Sequence, residues 1–162
     1  MAHHASTVFK SPDPQQPIAV LLLIENSKNM AAIWPDLRDQ YLRRLLDSIV
    51  AANPGAPVAV TILETSACNH GSPRSSPRPY LDTHQGLYTV NFDHSPENRV
   101  SPGKIDACIN YLDTAKYSGQ LCTARHLIVA AATAPSDDST GMLIPENYSP
   151  WFSLSSKLAT VR

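Results

Sequence analysis

Residues 18–24, Ile-Ala-Val-Leu-Leu-Leu-Ile, are an unbroken apolar run that stops at the polar pentapeptide Glu-Asn-Ser-Lys-Asn of residues 25–29. A short apolar run bounded by polar residues predicts a strand that is buried on both faces, as in parallel sheets. Pro35 then predicts the first turn of a long amphipathic helix, where its missing N–H costs nothing. The pentapeptide should therefore lie at the carboxyl end of a central strand, where open α/β sheets hold their ligands.

The rest of the chain alternates predicted strands with predicted helices. The other predicted strands are residues 58–63 and 126–133, which should be buried, and residues 87–92, whose alternating pattern predicts a half-exposed edge strand. Apolar residues at helical spacing predict helices over residues 35–52, 104–116 and 148–161. This order predicts an α/β fold with a doubly wound, mostly parallel open sheet and helices on both of its faces.

Composition limits the domain organisation and the classes of partner. Residues 1–17, where three prolines stand among polar residues, predict a disordered lead-in to one domain over residues 18–162. Thirteen Lys and Arg against fourteen Asp and Glu leave no basic field for direct nucleic-acid or membrane binding. Three dispersed cysteines, no signal peptide and no apolar run of the ~18 residues that span a bilayer predict an intracellular protein.

The pentapeptide after the first strand resembles the metal loop of the von Willebrand factor type A domain. Members of that family with a working metal site carry Asp-x-Ser-x-Ser on this loop, a Thr on a second loop and an Asp after a later strand. Ser27 matches this pattern, whereas Glu25 replaces the first Asp and Asn29 replaces the second Ser. Thr133, at the end of the third buried strand, is followed by Ala and Pro and offers no carboxylate.

A hard Mg²⁺ ion needs several oxygen ligands in near-octahedral geometry, and these substitutions predict a degenerate site that binds no metal and no cofactor. Ser27 and Asn29 should instead cap the loop and the entry to the helix. The alternative is a Mg²⁺-dependent ligand-binding domain that still uses Glu25 and Ser27.

A narrower resemblance is to the amino-terminal von Willebrand A-type domains of the Mediator subunit 25 family. It is carried by the polar loop, Trp34, Leu37 and the segment Tyr-Leu-Arg-Arg-Leu-Leu of residues 41–46. It implies a non-catalytic, nuclear protein–protein interaction module of a transcription coregulator, which tethers its subunit to the other protein subunits of a large complex. Proteasomal ubiquitin-receptor subunits share this fold and a degenerate loop, so a scaffold of that type is a further alternative.

Catalytic patterns are missing around the first strand. No GxGxxG or GxxxxGK[ST] fingerprint follows Ile24, and Glu25 and Asn29 stand where a nucleophile elbow around Ser27 requires glycines. We therefore expect no catalytic residues. Sheets of the resembled family continue past the third buried strand, so we also expect that the last strands are missing and that residues 127–132 lie at an exposed edge.

Overall fold

The computed structural model describes residues 16–68, 78–79, 85–93, 95, 98–117, 119–122 and 124–160. Most of the predicted lead-in lies outside these residues. The elements in chain order are β1 (Ile18–Ile24), α1 (Lys28–Asp36), a π-helical segment (Leu37–Leu42), α2 (Arg43–Ala52), β2 (Val58–Glu64), a 3₁₀ turn (Thr65–Cys68), β3 (Arg78–Pro79), α3 (Pro102–Asp113), β4 (Lys116–Tyr117), β5 (Gln120–Leu121), β6 (Ala124–Ala130) and α4 (Pro150–Thr160).

Strand β1 is the centre of the main sheet, whose strand order is β3-β2-β1-β6. It pairs in parallel with β2 on one side and with β6 on the other, and Ile18 is in register with Val58 and with Ala124. The two-residue strand β3 pairs antiparallel with β2. The predicted α/β fold with a mostly parallel, doubly wound sheet is confirmed.

The side chains of β1 divide between two cores because successive residues of a strand point to opposite faces. Ile18, Val20, Leu22 and Ile24 pack on one face against the helical region that follows the strand, including Trp34. The intervening side chains pack on the other face: Ala19, Leu21 and Leu23, together with Cys108 and Leu112 of α3. All seven residues of β1 are buried, as the unbroken apolar run predicts.

The first helix begins earlier than predicted. Ser27 caps it, since its hydroxyl accepts a hydrogen bond from the backbone N–H of Met30 at 3.1 Å, and Pro35 lies inside α1 instead of opening it. The local signal of a capping serine therefore outweighs the preference of proline for a first turn. Asn29 is an exposed residue in the first turn of α1, so its predicted capping role is wrong.

The π-helical segment sets which side of this helical region faces the sheet. Trp34 and Leu42 are both buried against the sheet, although eight residues of regular α-helix would leave them about 80° apart. The wider turn, closed by the bond from the Arg43 N–H to the Arg38 carbonyl, absorbs an extra residue and restores the alignment. As a result Tyr41 and Leu45 are exposed, although uniform helical spacing places them on the core stripe.

The predicted edge strand over residues 87–92 is wrong. Residues 85–88 form a helical turn, and Leu87 is fully buried. The turn is closed at Gly86, whose carbonyl accepts hydrogen bonds from the N–H and the hydroxyl of Thr89 at 3.0 and 2.8 Å. Six alternating residues do not distinguish a strand from a turn when a glycine precedes them, and here tertiary burial of Leu87 decides the outcome.

Strand β6 lies at the edge of the described sheet, with β1 as its neighbour. This confirms the predicted edge position, although the strand ends at Ala130, three residues earlier than predicted. Helices α3 and α4 occupy most of residues 104–116 and 148–161, as predicted. In the part of the chain that the structure describes, no helix is long and apolar enough to cross a membrane.

Candidate functional site

The carboxyl ends of β1, β2 and β6 converge on one edge of the sheet, and the loops that follow them carry the candidate polar residues. Chain connections leave β1 toward β2 on one side, whereas β6 lies on its other side. The crevice between the ends of β1 and β6 is therefore the topological switch point, where open α/β sheets bind ligands. Glu25, directly after β1, donates its backbone N–H to the Ala130 carbonyl at the end of β6, at 2.9 Å.

The side chain of Glu25 fills this crevice. Its Oε2 atom accepts hydrogen bonds from the backbone N–H groups of Ala132 at 2.9 Å and Thr133 at 3.1 Å. Its Oε1 atom accepts a hydrogen bond from the Thr133 hydroxyl at 2.8 Å. The residue is fully buried, so the two loops are joined by an intrachain carboxylate bridge.

Burial and hydrogen bonding act in opposite directions on this carboxylate. Burial alone would raise the pKa of Glu25, because it removes water from the charged form. Hydrogen bonds from the hydroxyls of Ser27 and Thr133 and from the N–H groups of Thr133 and Ala132 outweigh it, and the pKa of Glu25 lies below its ordinary value. The carboxylate is therefore charged at neutral pH, and its charge is solvated by protein donors.

Three of the four degenerate metal-loop positions come together in this way. Glu25, Ser27 and Thr133 share one hydrogen-bonded group, whereas Asn29 is exposed and outside it. Both Glu25 oxygens face N–H or O–H donors, and these donors lie where a cation would have to bind. Among the described residues no three His, Cys, Asp or Glu side chains are grouped to hold a metal ion. This donor set does not fit Mg²⁺, which requires oxygen lone pairs directed at the ion.

Asn26 is the polar residue at this edge that sequence reasoning missed. Its Nδ2 atom lies 3.1 Å from Glu64 Oε2, from Ser66 Oγ and from the Asn91 carbonyl oxygen. Its Oδ1 atom accepts a hydrogen bond from the backbone N–H of Asp93 at 2.7 Å. The side chain is buried and joins β1 to the loop after β2 and to residues 91–93.

The network continues through Thr65. Its hydroxyl accepts a hydrogen bond from the backbone N–H of Asn26 at 3.0 Å and donates one to the Asn98 carbonyl. The Asn98 amide donates in turn to the Asp93 carboxylate. Thr65 is fully buried and Asn98 is nearly so, so the network closes the sheet edge between β1 and β2 with satisfied polar groups.

Glu64 is a member of this network whose charged form is destabilised by its surroundings. Burial raises the pKa of Glu64, and the nearby Asp93 carboxylate adds to the rise, while hydrogen bonds from the Asn91 N–H and the Asn26 amide lower it in part. Two carboxylates and an amide are not by themselves a metal site, because their oxygens accept internal donors here. The hydrogen bonds at this edge of the sheet therefore join its loops to one another.

A second concave surface lies between α3, α4 and the segment before α4. This cavity of about 600 Å³ is lined on one side by Tyr148 and Phe152, whose ring centroids lie 5.0 Å apart with the ring planes tilted by 38°. On the other side Lys157 Nζ lies 2.7 Å from Asp106 Oδ1 and 2.6 Å from Asn110 Oδ1. Lys157, Asp106 and Asn110 are thus paired with each other, whereas Ser153 Oγ, which also belongs to the cavity lining, is buried without a hydrogen-bond partner among the described residues.

Comparisons with known proteins add a distant likeness. No family model matches this chain, and no curated protein matches it. Among solved structures it is similar to the three N-terminal domains of the type V pili tip protein Mfa5 from Porphyromonas gingivalis, at 14% identity and a TM-score of 0.43. The match covers 70% of this chain and 19% of that one, so the chain spans about a fifth of its length. At this TM-score the likeness carries no further argument.

Proposed function

We propose that this chain is a non-catalytic von Willebrand A-like interaction module of a nuclear transcription coregulator, related to Mediator subunit 25. In this role it tethers its subunit to the other proteins of a large complex and binds neither metal nor nucleic acid directly. The family named in this proposal rests on sequence resemblance: the polar loop and the first helix of this chain resemble those of the Mediator subunit 25 family. A nuclear location follows from the role.

The carboxylate bridge of Glu25 is the observation that carries the non-catalytic part of the proposal. At the switch-point crevice, where a ligand-binding relative needs open coordination positions, Glu25 is hydrogen-bonded to Ala132 and Thr133. A buried carboxylate with three such donors is costly to expose. A domain closed at this edge retains its outer surfaces for protein contacts, which suits a scaffold.

The second candidate is a Mg²⁺-dependent ligand-binding domain that uses Glu25 and Ser27. It is favoured by one observation, the shared hydrogen-bonded position of Glu25, Ser27 and Thr133. For this function Glu25 would have to release the loop after β6 and turn toward the ion.

Affinity capture tests the two candidates together. The tagged chain is incubated with nuclear extract in Mg²⁺ and in EDTA, and the bound proteins are quantified by mass spectrometry. We expect Mediator subunits to be recovered equally in both buffers, because no metal is needed. Recovery of proteasome subunits in their place would contradict the proposal in favour of the proteasomal scaffold. Capture lost in EDTA and in Glu25→Ala, but kept in the exposed control Glu146→Ala, would establish the second candidate.

A further inference from the structure

The cavity between α3, α4 and the segment before α4 has the size and the mixed lining of a small-molecule site. Its volume of about 600 Å³ lies within the range of about 300–1,000 Å³ that ligand pockets have in proteins. Polar side chains of α3 and α4 form one part of the lining. The apolar part consists of Met142, Leu143, Pro145, Tyr148 and Phe152.

The apolar wall of this cavity is exposed. Leu143 is 99% exposed, Phe152 is 54% exposed and Tyr148 is 51% exposed. A single exposed apolar residue is ordinary on a protein surface, whereas several around one cavity are typical of an interaction site. Aromatic rings prefer to pack offset or edge-on against other rings, so the Tyr148 and Phe152 rings favour an aromatic group on the ligand.

The polar side of the cavity is electrically balanced. Lys157 Nζ lies 2.7 Å from Asp106 Oδ1 and 2.6 Å from Asn110 Oδ1, and Asn110 Nδ2 donates to Asp106 Oδ2 at 3.1 Å. The Asp106 side chain is 11% exposed and the Lys157 side chain is 32% exposed. A charged ligand would lose its hydration here and meet a cation that is already paired with an anion. The lining therefore favours an uncharged ligand.

Ser153 is the polar group of the lining whose hydrogen bonding is incomplete. Its Oγ atom is buried and has no hydrogen-bond partner among the described residues. A buried hydroxyl without a partner lowers the stability of the fold. Because a serine hydroxyl turns about one side-chain bond, Ser153 can offer its O–H to an acceptor in the cavity that it lines.

We propose that this cavity binds an uncharged aromatic molecule that carries a hydrogen-bond acceptor. The ring of the ligand packs against Tyr148 and Phe152, and its acceptor takes the O–H of Ser153. The lining residues come from α3, α4 and the segment before α4 and do not include Glu25, Ser27 or Thr133. The inference therefore does not depend on the proposed function.

Four matched probes of about 10 heavy atoms test the ligand class: phenylacetamide, phenylacetate, 2-phenylethylammonium and cyclohexylacetamide. Each is titrated to about 10 mM into the ¹⁵N-labelled full chain, and binding is followed by changes in the amide chemical shifts. We expect phenylacetamide to bind with a Kd of about 1 mM, an affinity that ligands of this size can reach. Its shift changes should be concentrated in residues 106–110 and 141–157. The two charged probes and the aliphatic amide should bind about fivefold more weakly or worse.

Three substitutions on α4 test the assigned contacts. Ser153→Ala should leave the melting temperature unchanged or raise it, but should weaken phenylacetamide binding about threefold to tenfold, as expected for one lost hydrogen bond. Phe152→Ala should weaken binding about tenfold through loss of the ring contact. Leu158→Ala removes another exposed side chain of the same helix that does not line the cavity, and it is the control that should have no effect.

Any of several results would overturn the proposal. Unchanged amide shifts at about 10 mM phenylacetamide, well above the expected Kd, would show that the cavity is not a site for this ligand class. Equal binding of all four probes would mean non-specific adsorption, and tighter binding of a charged probe would contradict an uncharged ligand. A Ser153→Ala variant that melts at a lower temperature and binds phenylacetamide as before would give the hydroxyl a structural role and remove it from the site.

Discussion

Glu25 and Thr133 are joined by two hydrogen bonds across 108 residues of sequence, one from the Thr133 N–H at 3.1 Å and one from its hydroxyl at 2.8 Å. Glu25 follows β1 and Thr133 follows β6, so the pair links the two strands at the switch point of the sheet. The glutamate side chain, which is one methylene longer than that of aspartate, gives the carboxylate its reach to that loop.

The first prediction concerns the charge on this bridge. Glu25→Gln replaces one acceptor oxygen with an NH₂ group that must face an N–H or O–H donor. We expect a loss of about 1.5–3 kcal/mol in the free energy of unfolding, the range for hydrogen bonds to a charged group. The same change at exposed Glu146 should stay within about 0.5 kcal/mol. Urea unfolding of both variants measures the difference, and equal effects would show that the bridge contributes little.

The second prediction is the pH dependence of that difference. The folded pKa of Glu25 is lowered, so its charged form stabilises the fold above the unfolded pKa of about 4.3. This contribution is lost as the pH falls through the lower folded pKa. The difference in the free energy of unfolding between wild type and Glu25→Gln should therefore be constant near neutral pH and should shrink below about pH 4. A gap that widens in acid would mean that the folded pKa is raised.

The third prediction concerns metal. Because Glu25 is bound by N–H donors, millimolar Mg²⁺ or Mn²⁺ should leave the melting temperature unchanged. A site occupied at a hundred times its Kd would add about 2.7 kcal/mol by mass action, which differential scanning fluorimetry would detect. A shift that disappears in Glu25→Ala would contradict the non-metal interpretation.

The fourth prediction concerns Asn26. Asn26→Ala removes the donor shared by Glu64, Ser66 and Asn91 and the acceptor of the Asp93 N–H. Glu64 and Ser66 are half-buried and Asn91 and Asp93 are exposed, so water can replace part of what these partners lose, and we expect a loss of about 1–3 kcal/mol. Exposed Asn29→Ala is the matched control and should be near neutral. Faster hydrogen exchange in residues 91–93 would accompany the Asn26 change.

The fifth prediction reverses the usual order of helix propensity. Gly→Ala inside a helix normally stabilises it by up to about 1 kcal/mol. At Gly103, in the first turn of α3, an added Cβ would lie 2.6 Å from the Thr140 carbonyl oxygen. We therefore expect Gly103→Ala to destabilise the protein by about 1–3 kcal/mol. A melting temperature that increases after this substitution would contradict the prediction and show that residues 139–140 can move away from the added methyl group at little cost.

The helical region after β1 shows where local patterns predict correctly and where they do not. Ser27 was predictable as a cap because its partner, the Met30 N–H, is three residues away. The exposure of Tyr41 and Leu45 was not predictable, because a uniform helical period counted from Trp34 would place both residues on the buried face. A single π turn changes the phase for every later residue, and it forms because Trp34 and Leu42 gain burial against the sheet.

The polar edge shows the same limit for the candidate site. Glu25, Ser27 and Thr133 were singled out because the loop that holds the first two resembles a known metal loop and Thr133 stands where that family has its later Asp. Asn26 was not, since its side-chain partners lie 38 to 67 residues away and follow no spacing rule. The contribution of a buried amide to stability depends on which donors and acceptors surround it. The positions of the loops determine those partners.

The sequence by itself determined the central strand and the division of its side chains between two cores, because an unbroken apolar run must be buried on both faces of a sheet. Only the tertiary structure decided the phase of the first helix, the helical turn at residues 85–88 and the bridge from Glu25 to Thr133. Those features depend on contacts between residues far apart in the chain. Burial and desolvation at such contacts outweigh the small preferences of local sequence.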